Sequence, residues 1–152
     1  MTFKGKVYKY GKNIDTDVII PARRLVTKEA AVLASYCMED LDSDFVETVE
    51  AGDIILGDTN FGCGSSREQA VIAIKGCAVE LVAAKSFARI FYRNCVNNGV
   101  CPLEIDAVFY DAVHHKDVIS IDLAAGTGVN LTTGESLAFA PVQERILELL
   151  NL

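Results

Sequence analysis

Ten consecutive residues carry the combination of side chains best suited to chemistry: Asn60-Phe61-Gly62-Cys63-Gly64-Ser65-Ser66-Arg67-Glu68-Gln69. The two glycines let the backbone take a tight or left-handed path close to a ligand. Ser65 and Ser66 bring two hydroxyls, and Arg67 brings a planar fork that matches two carboxylate oxygens. Glu68 follows Ser65 by three positions, and an apolar run occupies residues 70–74. This spacing predicts a capping box with Ser65 at the N-cap and a helix from about Ser66 to Lys75. The free amides and positive dipole end of that helix would then face Ser65, Ser66 and Arg67, as in a binding site for an anion. The plainer reading is a glycine turn and an ordinary helix cap. A Walker-type phosphate loop does not fit, because no Gly-Lys-Ser/Thr follows the glycines.

The elements that must hold this loop follow from the pattern on either side. Residues 52–57 read as a buried strand between glycines, and residues 78–84 as a second one. Between them the helix ends at Gly76. Residues 86–97 carry a helical stripe of Phe87, Ile90, Phe91, Cys95 and Val96, with Arg89 and Arg93 together on the polar side and Asn98-Gly99 at its close. Strand, glycine turn, helix, strand, helix is an α/β unit with parallel pairing. Ligands of such sheets gather at the carboxyl ends of the strands, where residues 60–67 fall. Upstream, residues 3–10 predict a strand, Thr27 a cap for a helix over 28–37, and residues 42–49 a short helix. Asp15-Thr16-Asp17 runs into Val18-Ile19-Ile20 and Pro21. That stretch reads equally as the rim of a site or as a short strand with a solvated start. Downstream, short strands at 101–103, 118–123, 128–131 and 135–139, a helix over 106–113 and a closing helix over 142–150 predict a β meander with a helical cover. One domain, residues 1–152, is expected.

The chain has 152 residues, 51% of them hydrophobic, and a net charge of −7; its pI is about 4.8. This composition suits a packed domain and argues against nucleic acid or an anionic membrane as a main partner. An anionic ligand would need local positive charge, which draws interest to Arg23, Arg24, Arg67 and Lys85. No apolar run reaches membrane-spanning length, and Met1-Thr2-Phe3-Lys4-Gly5-Lys6 has no signal-peptide core, so a cytoplasmic protein is expected. The cysteines, Cys37, Cys63, Cys77, Cys95 and Cys101, are odd in number and show no C-x-x-C. Neither a disulfide scaffold nor a zinc or iron–sulfur site within this chain is expected. Cys77, Cys95 and Cys101 read as core residues, Cys63 as a small filler, and the His114-His115 pair as surface.

Taken together, three blocks resemble one family. Gly62-Cys63-Gly64-Ser65-Ser66-Arg67-Glu68, preceded by Asp58 and Asn60-Phe61, is similar to the signature of the swivel domain of aconitase-like hydro-lyases. Asp15 through Arg23 resembles the N-terminal motif of their free-standing small subunits, and Ala84 through Asn94 a third block. In length and order the chain resembles small subunits of the isopropylmalate dehydratase and homoaconitase family. The resemblance implies a swivelling β/β/α domain, with a mixed or parallel sheet core, a C-terminal meander and a closing helix. It implies a large-subunit partner carrying a 4Fe-4S cluster, none bound by this chain, and a hydroxy-dicarboxylate substrate that loses and regains water. By the same resemblance Ser65 is the general base, Ser66 and Arg67 hold a carboxylate, Asp17 is an active-site acid and Arg23 a substrate-facing cation. Lys85 and Arg89 are expected to be structural, holding the loop through ion pairs.

In this family substrate choice is tied to the stretch after Arg23, here Arg24-Leu25-Val26-Thr27. Apolar Val26 suits a branched alkyl tail, since burying an unpaired carboxylate against valine is unfavourable. Arg24 stands where many relatives have tyrosine, and its cation could serve a second carboxylate; Gln69 replaces a common histidine. Homoaconitate or a smaller alkylmalate such as dimethylmalate or methylmalate are the rival substrates. A stand-alone module that binds an organic anion without chemistry is the rival of another class. Val26→Arg, assembled with the large subunit, is expected to shift preference towards a substrate with a distal carboxylate. An unchanged ratio of kcat/KM values for isopropylmalate and homoaconitate would remove Val26 from substrate selection.

Overall fold

The computed structural model describes residues 2–142 and 144–150. Seven strands form one sheet in the order β4-β3-β2-β1-β5-β6-β7. Strand β1 (Thr2–Lys9) is the seam. On one side it pairs in parallel with β2 (Ile54–Gly57), which continues in parallel to β3 (Leu81–Ala84) and β4 (Cys101–Glu104). On the other side it pairs antiparallel with β5 (Val118–Asp122), followed by β6 (Thr127–Asn130) and β7 (Ser136–Ala138). The expected parallel heart and C-terminal meander are both present.

The two halves bury their residues differently, as their pairing requires. β2 and β3 are buried at every position, the pattern of strands covered on both faces. Ile55, Val82 and Ala84 join Tyr8 in one core. Ile54, Leu56, Leu81 and Ala83 join Phe3 and Val7 in the other. Strand β5 alternates buried Ile119 and Ile121 with half-exposed neighbours, as expected of a sheet wetted on one side.

The helices follow the sequence with shorter limits. Those bearing on the site are α1 (Thr16–Ile19), α2 (Ala30–Ala34), α4 (Glu68–Gly76) and α5 (Arg89–Asn97); α3 (Phe45–Thr48), α6 (Ala107–Ala112) and α7 (Glu144–Leu149) complete the set. Residues 16–19 are helical, not a strand. Asp15 Oδ1 accepts from the Val18 amide at 2.8 Å, an N-cap that outweighs the β preference of Val18, Ile19 and Ile20. Thr27 caps only a turn: its hydroxyl accepts from Glu29 N at 3.1 Å, and α2 begins at Ala30. Ile90 belongs to neither core and is 45% exposed. Among the described residues no helix is long and apolar enough to cross a membrane.

The loop between β2 and α4 is pinned from both sides. Phe61 N donates to Ser86 O at 3.0 Å, and Ala88 N to Phe61 O at 2.9 Å. From the other side Gly62 N donates to Ile14 O at 2.7 Å, and Thr16 N to Cys63 O at 2.9 Å. Fully buried Phe61 packs on Phe91 with ring centroids 5.4 Å apart. Gly62 has φ +81°, and a Cβ there would clash with the Phe91 ring at Cγ. Gly62→Ala is therefore expected to destabilise the fold by about 2–4 kcal/mol, from left-handed backbone strain plus overpacking. Denaturant unfolding checks this, and a loss below about 0.5 kcal/mol would show that the loop gives way freely.

Candidate active site

The pinned loop delivers Ser65, Ser66 and Arg67 to a cavity of about 390 Å³, within the usual range for small-ligand sites. Its other wall is the start of α5, including Arg89, Ile90, Arg93 and Asn94. The cavity thus lies beyond the carboxyl ends of β2 and β3, as the strand–turn–helix pattern implied.

Ser65 is not an N-cap. Helix α4 starts at Glu68, its N-cap residue is Arg67, and no side chain caps it. Glu68 Oε1 instead accepts from Asn98 Nδ2 at 3.3 Å. The S-x-x-E spacing is present, but backbone contacts hold the serine outside the helix: the Thr16 hydroxyl donates to Ser65 O at 2.7 Å. Thr16 is 2% exposed and was not singled out from the sequence; it sets the backbone from which Ser65 projects. Neither serine hydroxyl makes a hydrogen bond among the described residues, so both are open to a ligand. The first turn of α4, just beyond Arg67, also lacks a side-chain cap.

Arg67 and Asp17 come together. Arg67 Nη1 donates to Asp17 Oδ1 at 3.1 Å, and the same oxygen accepts from Ala22 N at 2.9 Å. The Ala22 amide, then Arg67, hold the Asp17 carboxyl below the usual aspartate range. Because that pKa is depressed, the tie is fully present above the ordinary carboxyl range and is lost only as pH falls through the lowered value. Arg67 has one side held by the chain and lines the cavity with the rest.

Arg23 and Arg24 do not line this cavity. Arg23 grips Asp40 through both terminal nitrogens, at 3.0 and 2.7 Å, and reaches Glu39 at 2.9 Å. Arg24 bonds both oxygens of Glu39, at 2.8 and 3.2 Å, and stacks 3.8 Å from the Tyr36 ring centroid. Arg24 and Arg23 in turn lower the Glu39 and Asp40 pKa values. The Arg24 fork, expected to be able to serve a second carboxylate, is occupied by Glu39 within the chain. Val26, in the turn beyond, is 88% exposed.

Two further expectations divide. Lys85 Nζ lies 3.2 Å from Asp58 Oδ1, a structural ion pair as expected. Arg89 has no acid within 4 Å among the described residues and faces the cavity instead. Its place on the polar side of a helix was legible, but not the direction in which that side points.

The cysteines do not fit an iron–sulfur cluster within this chain. Cys37, Cys95 and Cys101 are buried, Cys63 and Cys77 half-buried. Among the described residues no three His, Cys, Asp or Glu side chains gather where a metal could be held. Cys77 is more open than a core position, with its thiol 3.5 Å from Ala34 O. Burial, then the nearby Asp15 charge, pushes the Cys63 thiol up, so it stays protonated at neutral pH and is a poor nucleophile.

Residues 12–108 match the family model described as the aconitase C-terminal domain. The chain is 52% identical over 144 residues to the 3-isopropylmalate dehydratase small subunit of Caldicellulosiruptor bescii, covering 95% of this chain and 86% of that one. It is 49% identical over 151 residues to the small subunit of the same name from Clostridium beijerinckii, covering 97% and 93%. The crystal structure of 3-isopropylmalate dehydratase from Methanocaldococcus jannaschii superposes with a TM-score of 0.93 at 42% identity, over 99% of this chain and 89% of that one. An open pair of serines beside an arginine, on a loop held by a mixed seven-stranded sheet, thus occurs in a chain that belongs to the 3-isopropylmalate dehydratase small-subunit family of aconitase-like hydro-lyases.

Proposed function

We propose that this chain, acting as one swivel domain over residues 1–152, is the small subunit of a heteromeric 3-isopropylmalate dehydratase. That hydro-lyase interconverts 2- and 3-isopropylmalate by dehydration and rehydration in leucine biosynthesis, in the cytoplasm. The observation that carries the reading is the convergence of Ser65, Ser66 and Arg67 on one cavity, in a chain about half identical to small subunits of that name.

Dehydration breaks one C–H bond and one C–O bond on adjacent carbons. We assign the proton to Ser65 Oγ, acting as alkoxide, which takes it from carbon and returns it on rehydration. An alkoxide needs positive potential close by; Arg67 lines the same cavity, and the uncapped start of α4 follows it in the chain. Ser66 and Arg67 hold a substrate carboxylate, with the Arg67 fork aimed by Asp17. The family implies an iron–sulfur cluster on the large subunit, where it would polarise the departing hydroxyl; no residue of this chain is assigned to it. Arg23 and Arg24 brace the outer loop through Glu39 and Asp40, and exposed Val26 is offered to the alkyl tail. The filled fork of Arg24 favours isopropylmalate over a tricarboxylate.

Ser65→Ala, assembled with the large subunit, is expected to lower turnover on the order of 10²–10⁴-fold with assembly intact. Near-normal turnover would exclude Ser65 as the base. Arg67→Lys keeps the charge but loses the fork, and kcat/KM for isopropylmalate is expected to fall about 10-fold or more; unchanged steady-state constants would count against carboxylate binding there. Asp17→Asn should weaken the hold on Arg67 and raise KM by about 3-fold or more. If KM stays as in the wild type, Asp17 does not position the arginine.

A further inference from the structure

Arg23 and Arg24 lie in a three-residue 3₁₀ turn, Ala22–Arg24, which Pro21 leaves without a side-chain cap. Its own backbone contributes Arg24 N to Pro21 O at 2.9 Å and Leu25 N to Ala22 O at 3.1 Å. A turn that short has little stability of its own. What holds it is the opposing segment, residues 36–40. Glu39 accepts from both arginines, taking two bonds from Arg24 and one from Arg23. The Tyr36 ring stacks on the Arg24 guanidinium. That segment is itself under constraint. Met38 is fully buried with φ 61°, a left-handed conformation that a side chain of its size rarely adopts. Its amide donates to Ile19 O at 2.8 Å, at the end of α1, and its carbonyl accepts from Asp42 N at 2.8 Å. A left-handed residue persists only where its surroundings over-determine it. Here it immediately precedes Glu39 and ties the segment that carries this carboxylate to α1.

The other edge of the turn reaches the site. The Ala22 amide donates to Asp17 Oδ1 at 2.9 Å, and the same oxygen accepts from Arg67 at 3.1 Å. The Asp17 side chain is 63% exposed, so packing does little to direct it and its hydrogen bonds must. We propose that Glu39 is a positioning residue for Arg67: through Arg24 it fixes the Ala22 amide, which aims Asp17, which in turn aims the guanidinium into the cavity. Glu39 does not line that cavity. Its loss therefore changes how well a ligand carboxylate is held and leaves the reacting groups in place. The inference rests on the hydro-lyase reading for the identity of the ligand, and the relay from Glu39 to Arg67 stands apart from it.

Glu39→Gln tests the relay in two measurements. The first is the titration of the Asp17 carboxyl carbon by NMR in the full chain. The Ala22 amide is the largest cause holding that carboxyl below the usual aspartate range. Freeing the amide should move the midpoint up, towards that range. Loss of the Glu39 charge acts in the opposite direction, because it removes a repulsion between carboxylates. An unmoved or lower midpoint would overturn the relay. The second measurement is steady-state turnover of 2-isopropylmalate by the assembled enzyme. KM is expected to rise about 3-fold, with kcat within about 2-fold. In an Asp17→Asn background the same substitution should add less than about 1.5-fold, since the relay is already cut. KM unchanged, or an equal rise in both backgrounds, would overturn the proposal. Arg24→Lys keeps the charge and loses the fork, and it should reproduce both effects; no effect from it would remove Arg24 as the link. The two readings fail separately. A raised Asp17 midpoint in a protein whose wild-type pair does not turn over 2-isopropylmalate removes the hydro-lyase and keeps the relay. Wild-type turnover, with midpoint and KM both unmoved in Glu39→Gln, does the reverse.

Discussion

The site depends on a loop that has to satisfy its own buried backbone. Residues 58–67 leave β2 and pass between two other segments before α4 begins, and buried amides and carbonyls need partners. They find them in both neighbours. Asp58 N donates to Gly11 O at 3.2 Å and Asn13 N to Thr59 O at 2.9 Å on one side, while Lys85 N donates to Asp58 O at 3.1 Å on the other. Asn60, with φ 59°, has its amide on the Ser86 hydroxyl at 2.8 Å. Both neighbours therefore fix the path of the loop from β2 to Cys63, and the Thr16 hydroxyl holds it at Ser65 O. The segments that grip it are the ends of the Asp15 and Lys85 motifs. Three blocks far apart in sequence are thus one object in space, because each supplies hydrogen-bond partners that the others lack.

Charge is sorted around that loop by the same rule. Five cations away from the cavity are met by acids of the chain: Lys6 by Asp53, Lys85 by Asp58, Lys116 by Asp44, and Arg23 and Arg24 by Asp40 and Glu39. Exposed pairs of this kind add little stability. Their consequence here is geometric, since a filled fork has no room for a ligand. On the cavity wall the balance is reversed: Arg67, Arg89 and Arg93 line it, and among the described residues no acid but Asp17 pairs with them. An acidic protein can bind an acidic ligand when its few uncompensated cations share one concavity with low-dielectric walls.

Much of this was legible in the residues, and the failures have definite causes. Strand β2 announces itself as a short β-branched run between glycines, β3 as a run of small and β-branched residues, and the meander by its spaced turns. The capping box expected at Ser65 does not form, because spacing alone cannot tell whether a side chain will cap the first turn; none does, and Thr16, 49 positions away, holds the Ser65 carbonyl outside the helix. The helix at residues 16–19 was obscured by three β-favouring side chains, which a single aspartate cap overrode. Arg24 looked like a free cation because its partner Glu39 lies beyond an intervening helix. For Arg89 and Arg93 the period was readable but the facing was not, since no local signal says which neighbour a polar stripe will meet.

Ser65 and Ser66 are exposed, and this sets the terms on which the chemistry can occur. A serine alkoxide in contact with bulk water takes a proton from it at once, and the field of Arg67 and the α4 terminus is damped by solvent. The same groups become strong when water is excluded, because their interactions grow as the local dielectric falls and no reorganisation is then required. The chain has rigid donors and cations already in position, but among the described residues nothing covers the mouth of the cavity. A small-subunit family is the natural place for such half-built electrostatics. The loop is preorganised by this fold, and it gains its strength from whatever surface closes over it. Catalytic competence is then a property of the interface, while precision belongs to the Phe61–Arg67 loop and the two segments that hold it.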